Sequence, residues 1–205
     1  RMVAVLLTSF ASGLPLLLTG STLQAWYTDA NVDLMTIGWL SFVGLPYLFK
    51  ILWAPLMERY VPLSIGKRKS WIVLTQLAMV DGLVVVSRKD PHQAPDRLAF
   101  VAFLLAFFSA SQDIVVDVYR TEVATASERG TAATLLMVGY RFAMLIAGAL
   151  SLIIAAKFGW KLTYTLMAIT FLILAFNSMM VPNSGKVERK ESVFFLETVR
   201  LAWQE

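Results

Sequence analysis

Ionisable side chains lie inside long apolar segments of this 205-residue sequence, where they are costly and therefore informative. Asp113, Asp117 and Arg120 are spaced so that, at about 100° per residue, they share one narrow face of a helix. A charged group inside a membrane span costs about 2.5 to 3.5 kcal/mol on insertion scales, and it usually faces a cavity or a partner. This face therefore turns away from lipid. Asp113, the deeper aspartate, is the candidate for a group that gains and loses a proton.

Asp117 and Arg120 lie nearer the end of the same segment, and two interpretations of them remain open. They form a structural ion network at the helix end, or they take part in the chemistry of Asp113. Lys50, in another segment, and Asp113 are each about seven residues from the segment end, or about 10 Å at 1.5 Å per residue. Equal depth permits pairing if the two segments adjoin. We therefore predict a proton-coupling set of Asp113, Lys50 and Asp117.

Two further charges stand in apolar surroundings. Arg141 is about eleven residues inside its segment, close to the middle of a span of about 20 residues, and Tyr140 stands beside it. Arg141 either forms a buried pair with Asp113 or binds an anion in a central cavity. Asp81 is isolated, and it is either a packed polar residue or a functional one.

The charges are carried by six apolar segments that are long enough to cross a hydrocarbon core of about 30 Å. The chain is 58% hydrophobic and 16% charged, with a mean hydropathy of +0.66. A soluble domain is roughly 45 to 50% apolar. Because lipid cannot satisfy backbone polar groups, each span must be helical. The predicted spans are 2–28, 34–57, 70–87, 98–120, 130–156 and 162–182.

The distribution of lysine and arginine predicts the orientation of these spans, because cytoplasmic loops are enriched in both. The richer side holds Arg1, Arg59, Lys67, Arg68, Lys69, Arg120, Arg129, Lys186, Arg189, Lys190 and Arg200. The opposite side holds Arg88, Lys89, Arg97, Lys157 and Lys161. Both termini are therefore predicted to be cytoplasmic. The pI near 9.4 then reflects topology rather than nucleic-acid binding.

Composition excludes several chemistries. The absence of cysteine removes disulfides, thiolate metal sites and cysteine nucleophiles, and the single histidine, His92, removes any multi-histidine metal centre. The sequence has no His-Glu-x-x-His, no Gly-x-Gly-Asp and no Ser-His pair within a span, which disfavours an intramembrane enzyme. We expect no metal and no cofactor. A purely structural membrane subunit would not explain buried charges of both signs in separate helices.

The chain is predicted to form one six-helix unit over residues 1–182, followed by a cytoplasmic linker over residues 183–205. In the linker, Phe195, Val199, Ala202 and Trp203 are spaced as on one face of a helix. Such a stripe is typical of a helix lying on the membrane surface. We expect the linker to lead to a second half that lies outside this sequence.

The loop after the second span reads Ala54-Pro55-Leu56-Met57-Glu58-Arg59 and then Gly66-Lys67-Arg68-Lys69. It resembles the acidic-Arg…Gly-Arg-Arg loop between spans two and three of the major facilitator superfamily, with glutamate where aspartate is usual. The resemblance implies that the loop meets the cytoplasmic end of span four, at Asp117 and Arg120, and engages helix termini there. The predicted gating residues are Glu58, Arg59, Gly66, Lys67, Arg68, Arg120 and Arg129.

Further stretches are similar, in the same order, to the AmpG-type muropeptide permeases of that superfamily, and they cover nearly the whole chain up to Arg141. They are Phe10-Ala11-Ser12-Gly13-Leu14-Pro15, Thr22-Leu23-Gln24-Ala25-Trp26, Thr36-Ile37-Gly38, Phe49-Lys50 with Trp53 and Pro55-Leu56-Met57, Ser109-Ala110-Ser111-Gln112-Asp113-Ile114, and Glu128-Arg129-Gly130 with Gly139-Tyr140-Arg141. Asp81 is outside this pattern.

The resemblance implies an all-α membrane protein whose six helices are the N-terminal half of a major facilitator fold, built from two inverted three-helix repeats. It implies a proton-driven importer in the bacterial inner membrane that carries anhydro-muropeptides, products of cell-wall turnover, from periplasm to cytoplasm. It also implies that, in Gram-negative bacteria with an inducible β-lactamase system, this flux feeds the induction signal. The expected partners are membrane lipid, the muropeptide, protons and the C-terminal half. Another facilitator, such as an acetyl-CoA or peptide carrier, is the alternative.

A polar sugar-peptide needs hydrogen-bonding groups, cations for its carboxylates and aromatic faces for its rings. The predicted substrate-binding residues are Arg141, Tyr140, Gln24, Gln112 and Trp26.

Overall fold

The computed structural model describes residues 2–180, and within them the chain is helical apart from short connections. Six helical regions are long and apolar enough to cross a membrane. We number them spans 1 to 6: Met2–Asp29, Leu34–Leu52, Lys67–Arg88, Pro95–Val123, Arg129–Phe158 and Trp160–Met180. The prediction of six helical spans is confirmed. The predicted linker and surface helix, residues 183–205, lie outside the described residues.

Span 2 is shorter and less regular than predicted. It consists of the helices Leu34–Trp39 and Leu45–Phe49, each followed by a 3₁₀ segment, Leu40–Gly44 and Lys50–Leu52. A separate helix, Ala54–Arg59, follows it. Pro46 and Pro55 explain these breaks, because proline lacks a backbone N–H and disfavours helical geometry in the residue before it.

Spans 1 and 5 each contain one interruption. Span 1 divides at Gly20 into the helices Met2–Thr19 and Ser21–Asp29. Span 5 contains the π-helical segment Ile146–Leu150 between the helices Arg129–Leu145 and Ser151–Phe158. The Thr22 hydroxyl donates to the Ala147 carbonyl at 2.7 Å, so the two interruptions contact each other. Irregular backbone within the membrane is tolerated where neighbouring helices satisfy its polar groups.

Span 1 lies at the centre of the bundle and packs against spans 4, 5 and 6, while span 3 packs against spans 4 and 6. The main core contains Leu14 and Leu18 of span 1, Met79 of span 3, Leu105 of span 4 and Phe171 of span 6. Spans 2 and 5 are the least buried. Their exposed apolar side chains include Leu48, Ile51, Met137 and Phe142.

Spans 1 and 5 approach each other at the distance of backbone contact. A Cβ atom at Gly13 would lie 2.8 Å from both the Ala143 Cβ and the Tyr140 carbonyl oxygen. A Cβ at Gly139 would lie 2.8 Å from the Leu6 carbonyl oxygen. Close packing through small residues is a main source of helix association in membranes. The two glycines therefore fix the position of Tyr140 and its neighbour Arg141 against span 1.

We expect Gly13→Val to destabilise the full-length protein by about 1 to 3 kcal/mol, the usual cost of adding atoms to a packed interior. The thermal unfolding midpoint of the purified protein in detergent measures this effect. Gly130→Val is the matched control, because a Cβ atom there meets nothing within 4 Å. Equal midpoints for the two variants would contradict the proposed close contact.

Candidate functional site

A cavity of about 420 Å³ lies between spans 1, 4 and 5. Its polar lining residues are Ser9, Ser12, Asp113, Asp117, Tyr140 and Arg141. Leu16, Val116, Leu136, Met137 and Met144 complete the wall. Four residues that the sequence singled out, two on span 4 and two on span 5, thus line one space. Helical periodicity places Asp117 below Asp113 on the same face, which explains why both reach the cavity.

Asp113 brings a carboxyl group into this cavity and forms no ion pair with another residue of the described chain. Its Oδ1 atom is buried and has no hydrogen-bond partner among the described residues. The Lys50 ammonium of span 2 is close enough to act on the carboxyl electrostatically. Within residues 2–180, however, no ion pair of 4.0 Å or less joins Asp113 to Lys50 or to Arg141. The charges therefore influence each other across the cavity rather than neutralising each other by contact.

Arg141 is exposed and lines the cavity from span 5. It forms no ion pair with any other described residue, so the alternative of a buried pair with Asp113 is not what the structure shows. Its neighbour Tyr140 is half-buried and lies within electrostatic range of Asp113. A guanidinium that lines a cavity and has no ion pair among the described residues is suited to bind a carboxylate, which arginine can hold through two parallel hydrogen bonds.

The other predicted substrate-binding residues lie elsewhere. Gln112 is fully buried against span 3, where its Oε1 accepts from the Thr75 hydroxyl at 3.4 Å. It immediately precedes Asp113, so its side chain points about 100° away from the cavity face. Trp26 is 5% exposed and stacks on Tyr164 and Trp160, with ring centroids 5.1 and 5.8 Å away.

Gln24 is half-buried in the second helix of span 1, beyond the interruption at Gly20, and it is not among the residues that line the cavity. Asp81 is exposed on span 3 and lies outside the cavity as well. The cavity therefore contains two of the five residues that we predicted to bind substrate, Tyr140 and Arg141.

An ion network joins the loop after span 2 to spans 3 and 4. The Arg68 guanidinium donates from Nη1 to Glu58 and from Nη2 to Glu122 Oε1 at 2.8 Å. Arg68 Nε also donates to Glu122 Oε1 at 3.1 Å, and Lys67 Nζ lies 2.8 Å from Glu58 Oε2. The Arg68 side chain is only 10% exposed. One guanidinium thus connects two carboxylates from different elements at the predicted cytoplasmic end.

The loop does meet the predicted cytoplasmic end of span 4, but it does so through Glu122, which was not among the predicted gating residues. Glu122 is nine residues after Asp113, which places it on the opposite face of span 4, towards span 3. Arg120 Nη2 lies 3.9 Å from Asp117 Oδ1, and the Asp117 side chain is 54% exposed. Counting helical turns from Asp113 would have placed Asp117 and Glu122 on different faces of span 4.

The remaining loop residues have simpler positions. Gly66 immediately precedes span 3 and has a φ of 109°, a conformation that strongly favours glycine. The Ser70 hydroxyl donates to the Leu63 carbonyl at 2.7 Å, which fixes the turn before span 3. Arg59 and Arg129 are exposed, and neither forms an ion pair with another residue of the described chain.

Glu58 is the titratable member of the network that lies outside the spans. Partial burial favours its neutral form, but hydrogen bonds and charges from Arg68 and Lys67 outweigh burial and hold the pKa of Glu58 below its ordinary value. A depressed carboxyl pKa stabilises the fold above the unfolded-state pKa, and this contribution is lost as the pH falls through the folded-state value.

The parent protein should lose stability as the pH falls below 4.5, the ordinary pKa of a glutamate carboxyl group. We expect Glu58→Gln to lose less stability over the same pH range. At neutral pH the variant is less stable than the parent, and the two converge in acid. Thermal unfolding of the full-length protein across the acidic range measures the difference. Asp90→Asn is the control, because within residues 2–180 this partly exposed carboxylate accepts one hydrogen bond, from the His92 backbone N–H at 2.9 Å, and forms no ion pair. Parallel stability curves for Glu58→Gln and the parent would contradict the expectation.

Comparison with known proteins adds independent observations. Residues 5–203 match the sequence profile described as Major Facilitator Superfamily. The anhydromuropeptide permease of Escherichia coli K12 is 43% identical over 183 residues, which are 89% of this chain and 37% of that permease. An uncharacterized protein of Haemophilus influenzae is 38% identical over 192 residues, 94% of this chain and 45% of that protein.

A protein of Rickettsia felis named putative transporter AmpG 1 is 32% identical over 198 residues, 93% of this chain and 45% of that protein. The chain thus spans less than half the length of these curated relatives.

Proposed function

This chain belongs to the major facilitator superfamily, and from that premise we propose that it is the N-terminal half of a proton-driven importer of anhydro-muropeptides. The similarity to the Escherichia coli anhydromuropeptide permease supports the substrate class. Family membership places the chain among membrane transporters rather than enzymes. The direction of transport in this proposal is from periplasm to cytoplasm across the bacterial inner membrane, with the N-terminus in the cytoplasm.

The proposed mechanism rests on one observation. A carboxyl group and a guanidinium line the same cavity on different spans, and neither neutralises the other by direct contact. Charges that form no ion pair with the described residues are costly inside a membrane bundle, so their retention points to ions or substrates that visit them. Asp113 is suited to take up a proton, and Arg141 is suited to hold a carboxylate of the peptide.

Lys50 gives the two events a means of coupling. It acts electrostatically on Asp113 from span 2 without a direct ion pair. A proton that arrives at Asp113 removes the negative charge opposite Lys50 and Arg141. The cavity then becomes more positive and attracts an anionic peptide. Release of the proton reverses the preference, so proton and substrate bind together and leave together.

The exposed apolar surface of spans 2 and 5 supports a partner half. These spans are the least buried of the six, and they carry exposed Leu48, Ile51, Met137 and Phe142. The Arg68 network lies at the predicted cytoplasmic end, where closing and opening of a cavity between two halves would be controlled. Alternating access then follows from rocking of the two halves about this cavity.

Uptake of labelled anhydro-muropeptide into vesicles that contain the full-length transporter tests this proposal. We expect accumulation against a concentration gradient when the outside is more acidic, and only equilibration when a protonophore is present. Accumulation that is indifferent to the pH gradient would reject proton coupling. Absence of uptake in both conditions would reject the substrate.

Arg141→Ala is expected to weaken muropeptide binding by about tenfold or more, because hydrogen bonds to charged groups contribute about 1.5 to 3 kcal/mol. The concentration dependence of uptake at saturating pH gradient measures this change. Arg88→Ala removes an exposed arginine at the end of span 3, outside the cavity and outside the predicted gating set, and serves as the control. If Arg141→Ala had the same apparent affinity as Arg88→Ala, the cavity arginine would not be the anion site.

A further inference from the structure

The buried Oδ1 atom of Asp113 and three buried hydroxyl oxygens near it have no hydrogen-bond partner within residues 2–180. They are Ser12 Oγ of span 1, Tyr47 OH of span 2, and Ser109 Oγ and Asp113 Oδ1 of span 4. Ser12 and Ser109 are 4% and 0% exposed. We call these four groups the hydroxyl pocket. Buried polar atoms in native proteins are nearly always paired, so a cluster of unpaired oxygens points to a small polar molecule between them.

The members of the hydroxyl pocket are neighbours. The Tyr47 hydroxyl lies beside Ser109 and within electrostatic range of Asp113, and Ser12 lies beside the Asp113 carboxyl. None of these neighbours meets the geometry of a direct hydrogen bond. Polar groups that are close but not bonded are the situation in which water forms the bridge. A buried water needs two to four polar partners, which this pocket supplies.

The surrounding charges distinguish water from a metal cation. Asp113 faces the Lys50 ammonium and Tyr47 from span 2, Asp117 on its own span, and Tyr140 and Arg141 on span 5. Span 1 contributes no ionisable residue over 2–26. Asp113 and the more exposed Asp117 together carry no more charge than the two cations near them, Lys50 and Arg141, so the site offers no net negative charge to a sodium ion, whereas neutral water is compatible with it. The described residues also contain no acidic or histidine cluster able to hold a metal.

We propose that Ser12, Tyr47 and Ser109 hold water against Asp113 Oδ1 and thereby orient the carboxyl group for proton exchange. Tyr47 is the positioning residue, because its phenol comes from span 2, which also carries Lys50. A change in the position of span 2 would alter both the hydration and the electrostatic surroundings of Asp113 together. This inference rests on the proposed role of Asp113 in transport.

Infrared titration of the purified full-length transporter tests the hydroxyl pocket without any substrate. The carbonyl stretching band of protonated Asp113 is identified by its loss in Asp113→Asn. Tyr47→Phe removes one hydroxyl and keeps the ring, and Ser109→Ala is a second small change. Tyr60→Phe, at an exposed tyrosine outside the spans, is the matched control.

We expect Tyr47→Phe and Ser109→Ala to raise the frequency of the Asp113 band and to move its titration midpoint, and Tyr60→Phe to change neither. The frequency rises because loss of a hydrogen bond strengthens the carbonyl bond. In vesicles, gradient-driven uptake falls by about tenfold in Tyr47→Phe, a factor equivalent to about 1.4 kcal/mol. Exchange of muropeptide at equal pH on both sides is unchanged, because exchange needs no net proton transfer.

The proposed role of the hydroxyl pocket would be overturned if the Asp113 band were the same in Tyr47→Phe and Ser109→Ala as in Tyr60→Phe. A band that responds to replacement of sodium by potassium would overturn water in favour of a bound cation. If Tyr47→Phe yields no folded protein, Ser109→Ala decides the question alone. A parent protein that transports no muropeptide would defeat the proposed function, whereas the infrared result would still decide the pocket.

Discussion

Asp113→Asn is expected to lower pH-gradient-driven uptake of muropeptide by about 100-fold or more, the range in which positioned proton-transfer groups contribute. An asparagine amide has nearly the same size as the carboxyl group but cannot gain and lose a proton near neutral pH. No direct ion pair is broken by the change, because Asp113 forms none with the described residues. The variant should therefore fold normally and fail in coupling.

Two measurements separate coupling from a general loss of function. Exchange of labelled for unlabelled muropeptide at equal pH on both sides of the vesicle should persist in Asp113→Asn. Asp81→Asn is the matched control, because Asp81 lies on an exposed surface of span 3 away from the cavity. Asp113→Asn with full accumulation and an unchanged pH profile would show that another group carries the proton.

Arg68→Ala is expected to destabilise the full-length protein by about 2 to 3 kcal/mol. Removal of one member of a buried ion pair typically costs about 3 to 5 kcal/mol, and partial exposure of Glu58 reduces that figure. The loss is large because the change leaves Glu58 and Glu122 without the guanidinium that joins them. The free energy of unfolding in a mixed-detergent titration measures the effect.

A conservative variant and a control variant test whether the loss of stability in Arg68→Ala comes from the ion network. Arg68→Lys keeps the charge but lacks the planar fork that reaches both carboxylates, so it should recover only part of the stability. Arg129→Ala, at an exposed arginine without an ion pair in the described chain, should leave stability nearly unchanged. If Arg68→Ala were as stable as Arg129→Ala, the network would not join the loop to spans 3 and 4.

Helical periodicity made part of the cavity predictable. Charges inside apolar spans are conspicuous in a sequence, and the spacing of Asp113 and Asp117 places both on one face. Arg141 was found as a charge near the middle of span 5, and Tyr140 as its neighbour in the sequence. The structure adds that span 1 completes this cavity through Ser9 and Ser12, whose small side chains carry no such signal.

Other residues could not be placed from composition or motif position. Gln112 stands next to Asp113 in a shared motif, yet one residue along a helix turns its side chain towards span 3. Trp26 was expected to offer an aromatic face to substrate, but its ring is occupied by Tyr164 and Trp160. Which polar or aromatic groups remain free depends on tertiary packing, and a single sequence does not contain that information.

The position of the Tyr47 hydroxyl could not be predicted from the sequence either. A tyrosine in an apolar span is ordinary in sequence, because its ring suits the core and its hydroxyl usually finds a partner. Only the packing of span 2 against span 4, after the 3₁₀ break at Leu40–Gly44, shows that this hydroxyl is buried near Asp113. The break was not predicted, so neither was the position of the hydroxyl.

Proton movement driven by substrate alone tests the central claim most directly. Liposomes that contain the full-length transporter and a pH-sensitive dye start with equal pH on both sides, and anhydro-muropeptide is added outside. We predict that the lumen becomes acidic as substrate enters, and that Asp113→Asn abolishes this signal. Entry of labelled muropeptide with no change in lumenal pH would contradict proton coupling at this cavity.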